Sequence, residues 1–264
     1  MTRISSPTFL VSFAPVRPHN ERVAIPTGAF LNAIGILVGA MIGLAQLKPL
    51  TLRTQLWYRN AIGALTIFFG VYLICTNLEG PFLSCLKQLL IAVLAVIPGF
   101  WVGKLFRLQK MSNYLGRKAG NAITAAQKNP DQNPSDAFNA CAVLFCAAPL
   151  GIIGAVADGL SGYYYLLGVK AIMDALAMTG FIRVFRWPAA MSAFPVLVFF
   201  SAVSLAIELC VKPALSPACL DSINAVAGLL ACIVTIVIFE VRKVELANFL
   251  PALVIAPLLT KWLA

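Results

Sequence analysis

The sequence predicts an all-α membrane protein built as a bundle of about eight transmembrane helices, and two observations support this class. Hydrophobic residues make up 60% of the 264 positions and charged residues 11%, whereas soluble domains are about half apolar and about a quarter charged. The mean hydropathy is accordingly high, at +0.88. The apolar residues also form runs close to the ~20 residues that a helix needs to cross a bilayer.

Eight predicted spans can be placed along the chain, each near the required length. They cover residues 27–46, 60–76, 87–106, 137–157, 163–183, 189–210, 222–240 and 246–263. The second is short, and only "DGLSG", which begins at Asp158, separates the fourth from the fifth, so seven spans are the alternative. Glycines near both ends of that segment favour a turn. Residues 1–24 are predicted to be a flexible extension, and residues 25–264 a single polytopic domain.

The formal net charge is +10, from 20 basic and 10 acidic residues. Basic residues collect in the cytoplasmic loops of membrane proteins, so the charge does not call for a nucleic-acid partner. One side of the predicted spans carries most of the basic residues, namely Lys48, Arg53, Arg59, Lys104, Arg107, Lys110, Arg117, Lys118, Lys128, Arg183, Arg186, Arg242 and Lys243. This bias predicts an inner-membrane protein with both termini outside the cytoplasm. Three arginines in residues 1–24 favour the opposite placement of that segment.

The only long polar stretch between predicted spans is the loop at about 107–136. Leu108, Met111, Leu115, Ala119 and Ile123 recur there at helical spacing, with basic residues among them. We predict a short amphipathic helix that lies on the cytoplasmic surface and is attracted to anionic headgroups. A solvated linker is the alternative.

The second and seventh predicted spans begin alike, with "NAIGAL" from Asn60 and "NAVAGL" from Asn224. In the orientation above they cross the membrane in opposite directions. Matching helices of opposite direction are what an inverted repeat produces, and many secondary transporters are built in this way. The sequence therefore suggests an inverted repeat, on the evidence of six residues.

Prolines and glycines mark further features of the predicted spans. A proline removes a helical hydrogen bond, and interrupted helices at the membrane midplane are where transporters bind substrate and ions. Helix breaks are therefore predicted at Pro98, Pro149, Pro195 and Pro251. Glycines at every fourth position of the first span, Gly35, Gly39 and Gly43, predict close packing against another helix.

Two ionisable residues, Lys170 and Asp174, lie within the fifth predicted span. If that span begins near Tyr163, they lie about 10 Å and about 16 Å into a hydrocarbon core about 30 Å thick. Each unpartnered charge costs about 2.5–3.5 kcal/mol there. Their i, i+4 spacing puts both on one helical face, where they can pair. Intramembrane ionisable residues indicate a site for a solute, an ion or a proton, and a purely structural ion pair is the alternative.

Four further polar residues are weaker candidates for the same site: Asn32, Asp158, Asn224 and Asn248. Each amide is as readily explained by contacts between helices. Two cysteine pairs, Cys75 with Cys85 and Cys210 with Cys219, flank predicted outer loops, and we expect thiols in preference to disulfides because their surroundings are apolar.

Several classes of activity have no sequence support. His19 is the only histidine, and the seven cysteines show no CxxC spacing, so no metal site is predicted. Neither a phosphate-binding GxxxxGK[ST] motif nor an HExxH motif is present in the sequence. We therefore expect no cofactor and no enzymatic activity.

The chain resembles a family of bacterial membrane proteins, domain of unknown function 554, of the YdfK/YqgA type. The resemblance is carried by Gly28 and Asn32, the "DGLSG" turn, the helix with Lys170 and Asp174, and the closing segment "ANFLPALVIAPLL" at 247–259. It extends from about residue 27 onward. It implies a polytopic inner-membrane protein with a supposed transport role, and it names no substrate.

The function predicted from these features is a secondary transporter or ion-coupled permease for a small solute. The alternative is a membrane scaffold or accessory subunit in which the Lys170–Asp174 pair is structural. The expected partners are the lipid bilayer and a small solute or ion. A homo-oligomer is left open.

Overall fold

The structure is a computed structural model that describes residues 25–45, 51–78, 82–128 and 134–263. Eleven α-helices lie in these ranges: α1 Thr27–Ala45, α2 Leu52–Asn77, α3 Phe82–Leu105, α4 Leu108–Lys128, α5 Pro134–Cys146, α6 Pro149–Ser161, α7 Tyr165–Phe185, α8 Trp187–Ala190, α9 Ala193–Ala206, α10 Pro217–Ile238 and α11 Ala252–Leu263. No β-strand occurs within them. The predicted extension 1–24 lies outside the described residues.

Seven helical segments are long and apolar enough to cross a membrane, and the pair α5–α6 forms an eighth if it is counted as one span. The two helices of this pair meet at an angle of 60°. The fourth predicted span, 137–157, is therefore a bent pair of helices, interrupted at Pro149 as the sequence predicted. The break follows Cys146, and Pro149 begins α6 at its first turn, where a missing N–H costs no helical hydrogen bond.

Several predicted boundaries also differ from the structure: α3 and α10 each begin five residues earlier than predicted, and the start of α2 differs most. α2 begins at Leu52, eight residues before the predicted start at Asn60, because its first two turns are polar and give no hydropathy signal. Thr51 stabilises this start, since its hydroxyl accepts a hydrogen bond from the Thr54 amide at 3.3 Å. The "DGLSG" segment is mainly the last turn of α6, and the chain reverses at Gly162, whose φ is +70°.

Glycine contacts fix the relative direction of α1 and α7. Gly35 lies against Ala171, and Gly43, two turns later, lies against Thr179, so the two helices run parallel. Consecutive spans alternate in direction, and α7 is parallel to α1 only if α5 and α6 together cross the bundle once. The helix directions therefore favour eight crossings over seven.

The helices α2 and α10 run antiparallel, as the sequence predicted for the second and seventh spans. Asn77 at the end of α2 accepts a hydrogen bond of 2.9 Å from Asn224 near the start of α10. Midway along, Gly70 and Gly228 let the two backbones touch, because a Cβ on Gly228 would lie 2.5 Å from the Gly70 carbonyl oxygen. The inverted repeat itself stays a prediction.

The bundle contains two hydrophobic cores. One is formed mainly by α1, α5, α7 and α9, and we call these helices the first half. The other is formed mainly by α10 and α6, with further residues from α2, α3 and α11, and we call α2, α3, α10 and α11 the second half. α6 contributes residues to both cores and lies between the halves. Each half thus combines segments from both ends of the chain.

The predicted glycine contacts in α1 are confirmed. Cβ atoms on Gly35 and Gly39 would lie 2.6 Å from the Ala171 carbonyl oxygen and from the Ala175 Cα atom, respectively. Any larger residue would force the helices apart, so the backbones of α1 and α7 are in direct contact. This seam joins the two longest helices of the first half.

The predicted amphipathic helix is α4. Its face with Ala119, which is buried, packs mainly against α5, with smaller contacts to α3, α7 and the 3₁₀ turn Leu246–Phe249. Met111 was predicted on the apolar face but is exposed, as is Tyr114. α4 therefore lies across one end of the bundle and connects the second half to the first.

The prolines predicted to break helices behave differently from one another. Pro149 and Pro251 lie at interruptions, with Pro251 between the 3₁₀ turn Leu246–Phe249 and α11. α3 continues through Pro98, and the next residue, Gly99, packs closely on Ala252 of α11. Pro195 is the third residue of α9, a position that needs no N–H donor, so it lies in the first turn and does not break the helix.

Candidate functional site

The centre of α7 carries a buried ion pair. The Lys170 ammonium group donates a hydrogen bond of 2.5 Å to Oδ2 of Asp174, as the i, i+4 spacing predicted. Lys170 is 2% exposed and Asp174 is 7% exposed. Asp174 is the tenth residue of the 21-residue helix, so the pair lies near the middle of the span. The charges neutralise each other inside the protein and not at a water surface.

Aromatic rings enclose the ammonium group of Lys170. Its Nζ atom lies 5.4 Å from the ring centre of Phe200 in α9 and 5.9 Å from that of Phe145 in α5, within the range of cation–π attraction. Gly151 of α6 closes a further side, because a Cβ there would lie 2.6 Å from Cε of Lys170 and would also collide with Phe200. Lys170 thus packs against residues of three other helices, α5, α6 and α9.

Asn32 of α1 is the polar neighbour of this pair. It is fully buried, and its amide approaches the Asp174 carboxylate. Neither its oxygen nor its nitrogen completes a hydrogen bond of good geometry, although the amide lies within interaction distance of the Asp174 carboxylate. An unsatisfied buried polar group costs about 1–3 kcal/mol, so the site holds hydrogen-bonding capacity that the protein itself does not use.

The interruption between α5 and α6 lies beside Lys170. Phe145 is the penultimate residue of α5 and Gly151 is in the first turn of α6, and both contact the lysine. The last carbonyl groups of α5 lack partners within the helix and carry partial negative charge. This charge favours the ammonium group. Broken helices that present free backbone groups near the midplane are typical of binding sites in membrane transporters.

Asp158 belongs to a different location, about two turns further along α6. It is buried, and its Oδ2 accepts a hydrogen bond of 3.1 Å from the amide of Gly28 in the first turn of α1. A carboxylate at a helix N-terminus is favoured by the helix dipole. Ser204 of α9 is close by, and its hydroxyl donates to the carbonyl of Ala155 at 3.0 Å. The contacts give Asp158 a capping role apart from the Lys170–Asp174 pair.

The other two predicted amides also lie away from the pair. Asn224 is buried and bonds Asn77 across the α2–α10 interface. Asn248 is buried, accepts a 3.0 Å hydrogen bond from the amide of Gln109 and donates at 2.7 Å to Glu245. Asn248 thereby holds the start of α4 on the second half. Of the four weaker candidates, only Asn32 reaches the ion pair.

The two halves meet directly at one end of the bundle, whereas at the other end a cleft lies between them and α4 connects them. At the first end, which we call the tyrosine end, Tyr163 donates a 2.7 Å hydrogen bond to the carbonyl of Phe69 in α2. The Tyr163 ring also stacks on Tyr72. At the opposite end, which we call the basic end, a cleft of about 500 Å³ opens between α2, α7 and α10, with Arg59 and Arg183 in its lining.

Sequence reasoning did not identify the aromatic enclosure or the cleft. The rings come from α5 and α9, which are distant from Lys170 in sequence, and nothing in the periodicity of either helix distinguishes Phe145 or Phe200 from ordinary core residues. Gly151 had a usable signal, because it follows Pro149 at a predicted break. The expected thiols agree with the structure, since no disulfide joins cysteines in the described residues.

The described helices and their buried site define a polytopic α-helical membrane protein with an ion pair at a helix interruption. The chain belongs to the family described as protein of unknown function (DUF554), whose model matches residues 27–261.

Two relatives cover nearly the whole chain. It is 27% identical to the uncharacterized protein YqgA of Escherichia coli (strain K12), over 90% of this chain and 97% of the relative. It is 22% identical to the uncharacterized membrane protein YdfK of Bacillus subtilis (strain 168), over 87% of this chain and 93% of the relative. No solved structure matches the chain.

Proposed function

We propose that the protein is a secondary transporter or ion-coupled permease for a small solute, located in the inner membrane with both termini outside the cytoplasm. The observation that carries the proposal is the fully buried Asn32 amide beside the Lys170–Asp174 pair, whose nitrogen and oxygen complete no hydrogen bond of good geometry. No enzymatic activity, cofactor or nucleic-acid partner is part of the proposal.

The energetic argument starts from the cost of the polar group. A pair that only specified packing would need no additional amide, and an apolar residue at position 32 would avoid about 1–3 kcal/mol of unsatisfied hydrogen bonding. Polar groups held without partners in a membrane interior mark solute and ion pathways. A bound solute would supply the missing partners of Asn32.

The arrangement of the halves supports the same proposal. Alternating access requires two bodies that separate on one side of a central site while they meet on the other. Here the halves meet at the tyrosine end through Tyr163 and Phe69, and the cleft separates α2 from α7 at the basic end. The positive-inside rule assigns the basic end to the cytoplasm, so in this proposal the cleft faces the cytoplasm while the central site is occluded.

A structural role for the ion pair is the second candidate, with the protein acting as a membrane scaffold. The observation that favours it is the enclosure of Lys170 by Phe145 and Phe200, which leaves the pair almost without exposure. An occluded transport site has the same appearance. The two candidates differ in what happens when the charges are removed without loss of the fold.

The test is transport by purified protein in proteoliposomes, measured as solute-induced currents and internal pH changes with a panel of organic acids, amino acids, amines and sugars. We expect a current with at least one class of solute, and we expect it to be lost in Asp174→Asn and in the double variant Lys170→Met/Asp174→Leu. Thr66→Val is the matched control, because Thr66 is buried and bonds only the Ile62 carbonyl of its own helix. Full transport by a folded double variant would assign the pair a structural role.

A further inference from the structure

The cleft at the basic end has the composition of a binding site for an amphipathic anion. Its volume of about 500 Å³ lies within the range of small-molecule sites. The inner wall is apolar and includes Ile62, Met173, Leu176 and Ile238. The polar lining comes from two arginines, a tyrosine, a threonine and a glutamine, and none of the described lining residues carries a carboxylate.

Arg59 has a donor that nothing in the described residues satisfies. Its Nε atom is buried and makes no hydrogen bond, and a guanidinium group can only donate. The Nη1 atom of the same side chain contacts Glu240 at 2.5 Å, and the side chain of Glu240 is 73% exposed. Exposed ion pairs contribute about 0–1 kcal/mol, so an incoming anion can replace Glu240 at little cost.

Arg183 provides a second guanidinium group on the opposite wall. It lies near the end of α7, whereas Arg59 is in the second turn of α2. Two guanidinium groups facing one cleft create a positive potential that an anion relieves, and guanidinium groups match carboxylate and phosphate geometry. A purely cationic solute is disfavoured at this entrance.

The cleft extends along α7 to the level of the ion pair. Met173 and Ala177 line the cleft, and each is the i+3 neighbour of Lys170 or Asp174 on α7. Lys170 and Asp174 are not part of the described lining, and Lys170 packs against Phe145 and Phe200 on other helices. The cleft and the ion pair therefore use different faces of the same helix.

We infer that the cleft between α2, α7 and α10 binds a small organic anion, with its carboxylate at Arg59 and Arg183 and its apolar body on the wall formed by Ile62, Met173 and Leu176. This inference names the substrate class of the proposed transporter. It rests on the proposed function, because binding by itself does not show transport. An anionic lipid headgroup has the same chemistry from a different source, and the experiment distinguishes the two sources.

The experiment measures thermal unfolding and equilibrium binding of the full chain in a neutral detergent, with benzoate and hexanoate as probes. Their amides, benzamide and hexanamide, keep the shape without the charge. We expect both carboxylates to raise Tm in a concentration-dependent manner by mass action, with the amides inactive. Arg183→Gln should weaken benzoate binding at least tenfold, and Arg183→Lys should weaken it less. Arg53 is an exposed arginine of α2 that does not line the cleft, so the control variant Arg53→Gln should leave benzoate binding unchanged.

Several results would overturn the inference. They are equal stabilisation by benzoate and benzamide, equal losses in Arg53→Gln and Arg183→Gln, or stabilisation by phosphatidylglycerol alone with no effect of soluble carboxylates. Benzoate binding that depends on Arg183, without current in proteoliposomes, would support the anion site and contradict transport. Currents with amines or sugars that are insensitive to Arg183→Gln would support transport and contradict the anion site.

Discussion

Removing the charges of the Lys170–Asp174 pair one at a time and together gives the sharpest test of how the bundle tolerates them. In Asp174→Asn the ammonium group of Lys170 stays buried between two aromatic rings without its carboxylate. Breaking one side of a buried pair costs about 3–5 kcal/mol, which is a factor of at least about 100 in the folding equilibrium. Lys170→Met leaves the carboxylate of Asp174 buried and should cost a similar amount.

The double variant Lys170→Met/Asp174→Leu removes both charges and fills their volume with apolar groups. Replacements of this kind are often neutral, or stabilising by about 1–4 kcal/mol. We therefore expect the double variant to be at least about 3 kcal/mol more stable than either single variant. The two substitutions are coupled because the side chains touch at 2.5 Å.

The assay is reversible unfolding in mixed micelles at fixed detergent and protein concentrations, followed by tryptophan fluorescence for the wild type, both single variants and the double variant. Thr66→Val serves as a control for loss of a buried polar group elsewhere. If the double variant were as unstable as the sum of the single variants, the two charges would not stabilise each other, and the description of a self-neutralising pair would be refuted.

Four further outcomes are expected. Gly151→Ala should destabilise the protein by about 1–3 kcal/mol because its Cβ collides with Phe200 and Lys170, whereas Gly116→Ala in α4, where a Cβ meets nothing within 4 Å, should stabilise by up to about 1 kcal/mol in the same unfolding assay. Asn32→Leu should change stability only slightly, because the loss of the amide beside Asp174 is offset by the removal of two atoms without good hydrogen bonds, yet it should abolish solute-induced current; unchanged current would separate Asn32 from transport. Asn248→Ala should free the start of α4 at a cost of about 0.5–2 kcal/mol, seen as faster hydrogen exchange at residues 108–112 and not elsewhere in α4. In a cysteine-free background, Lys118→Cys should react with an impermeant thiol reagent only from the cytoplasmic side, and labelling of intact cells would reverse the orientation.

Hydropathy predicted the helices because the lipid-facing side of each span has to be apolar, whichever helices its other side contacts. It missed the first two turns of α2, where polar residues extend beyond the apolar run to a threonine cap. The interruption at Pro149 was predictable, since proline has a direct backbone effect. Pro98 also lacks the backbone N–H, but α3 continues through it, so a proline alone did not determine where a helix is interrupted.

The candidate site was predictable only in part, for a related reason. The pairing of Lys170 with Asp174 follows from helical spacing alone and is confirmed. The choice of Asn32 over Asn224 and Asn248 depends on which helices are neighbours. All three amides are buried in apolar segments, and the sequence contains no information about which one faces α7. The sequence predicted that the glycines of α1 pack against another helix, but it did not identify that helix as α7.

The glycine seam between α1 and α7 also limits how the protein can move. With backbone in contact with backbone at Gly35 and Gly39, one helix cannot slide along the other without driving a carbonyl group into a neighbouring Cα atom. These two helices therefore move as one rigid body and carry Asn32 and Asp174 together. If the two halves move apart at the cleft between α2 and α7, α4, which contacts both halves, has to bend or detach. Spin labels across α2 and α7 would report that motion, whereas labels across the seam would show a fixed distance.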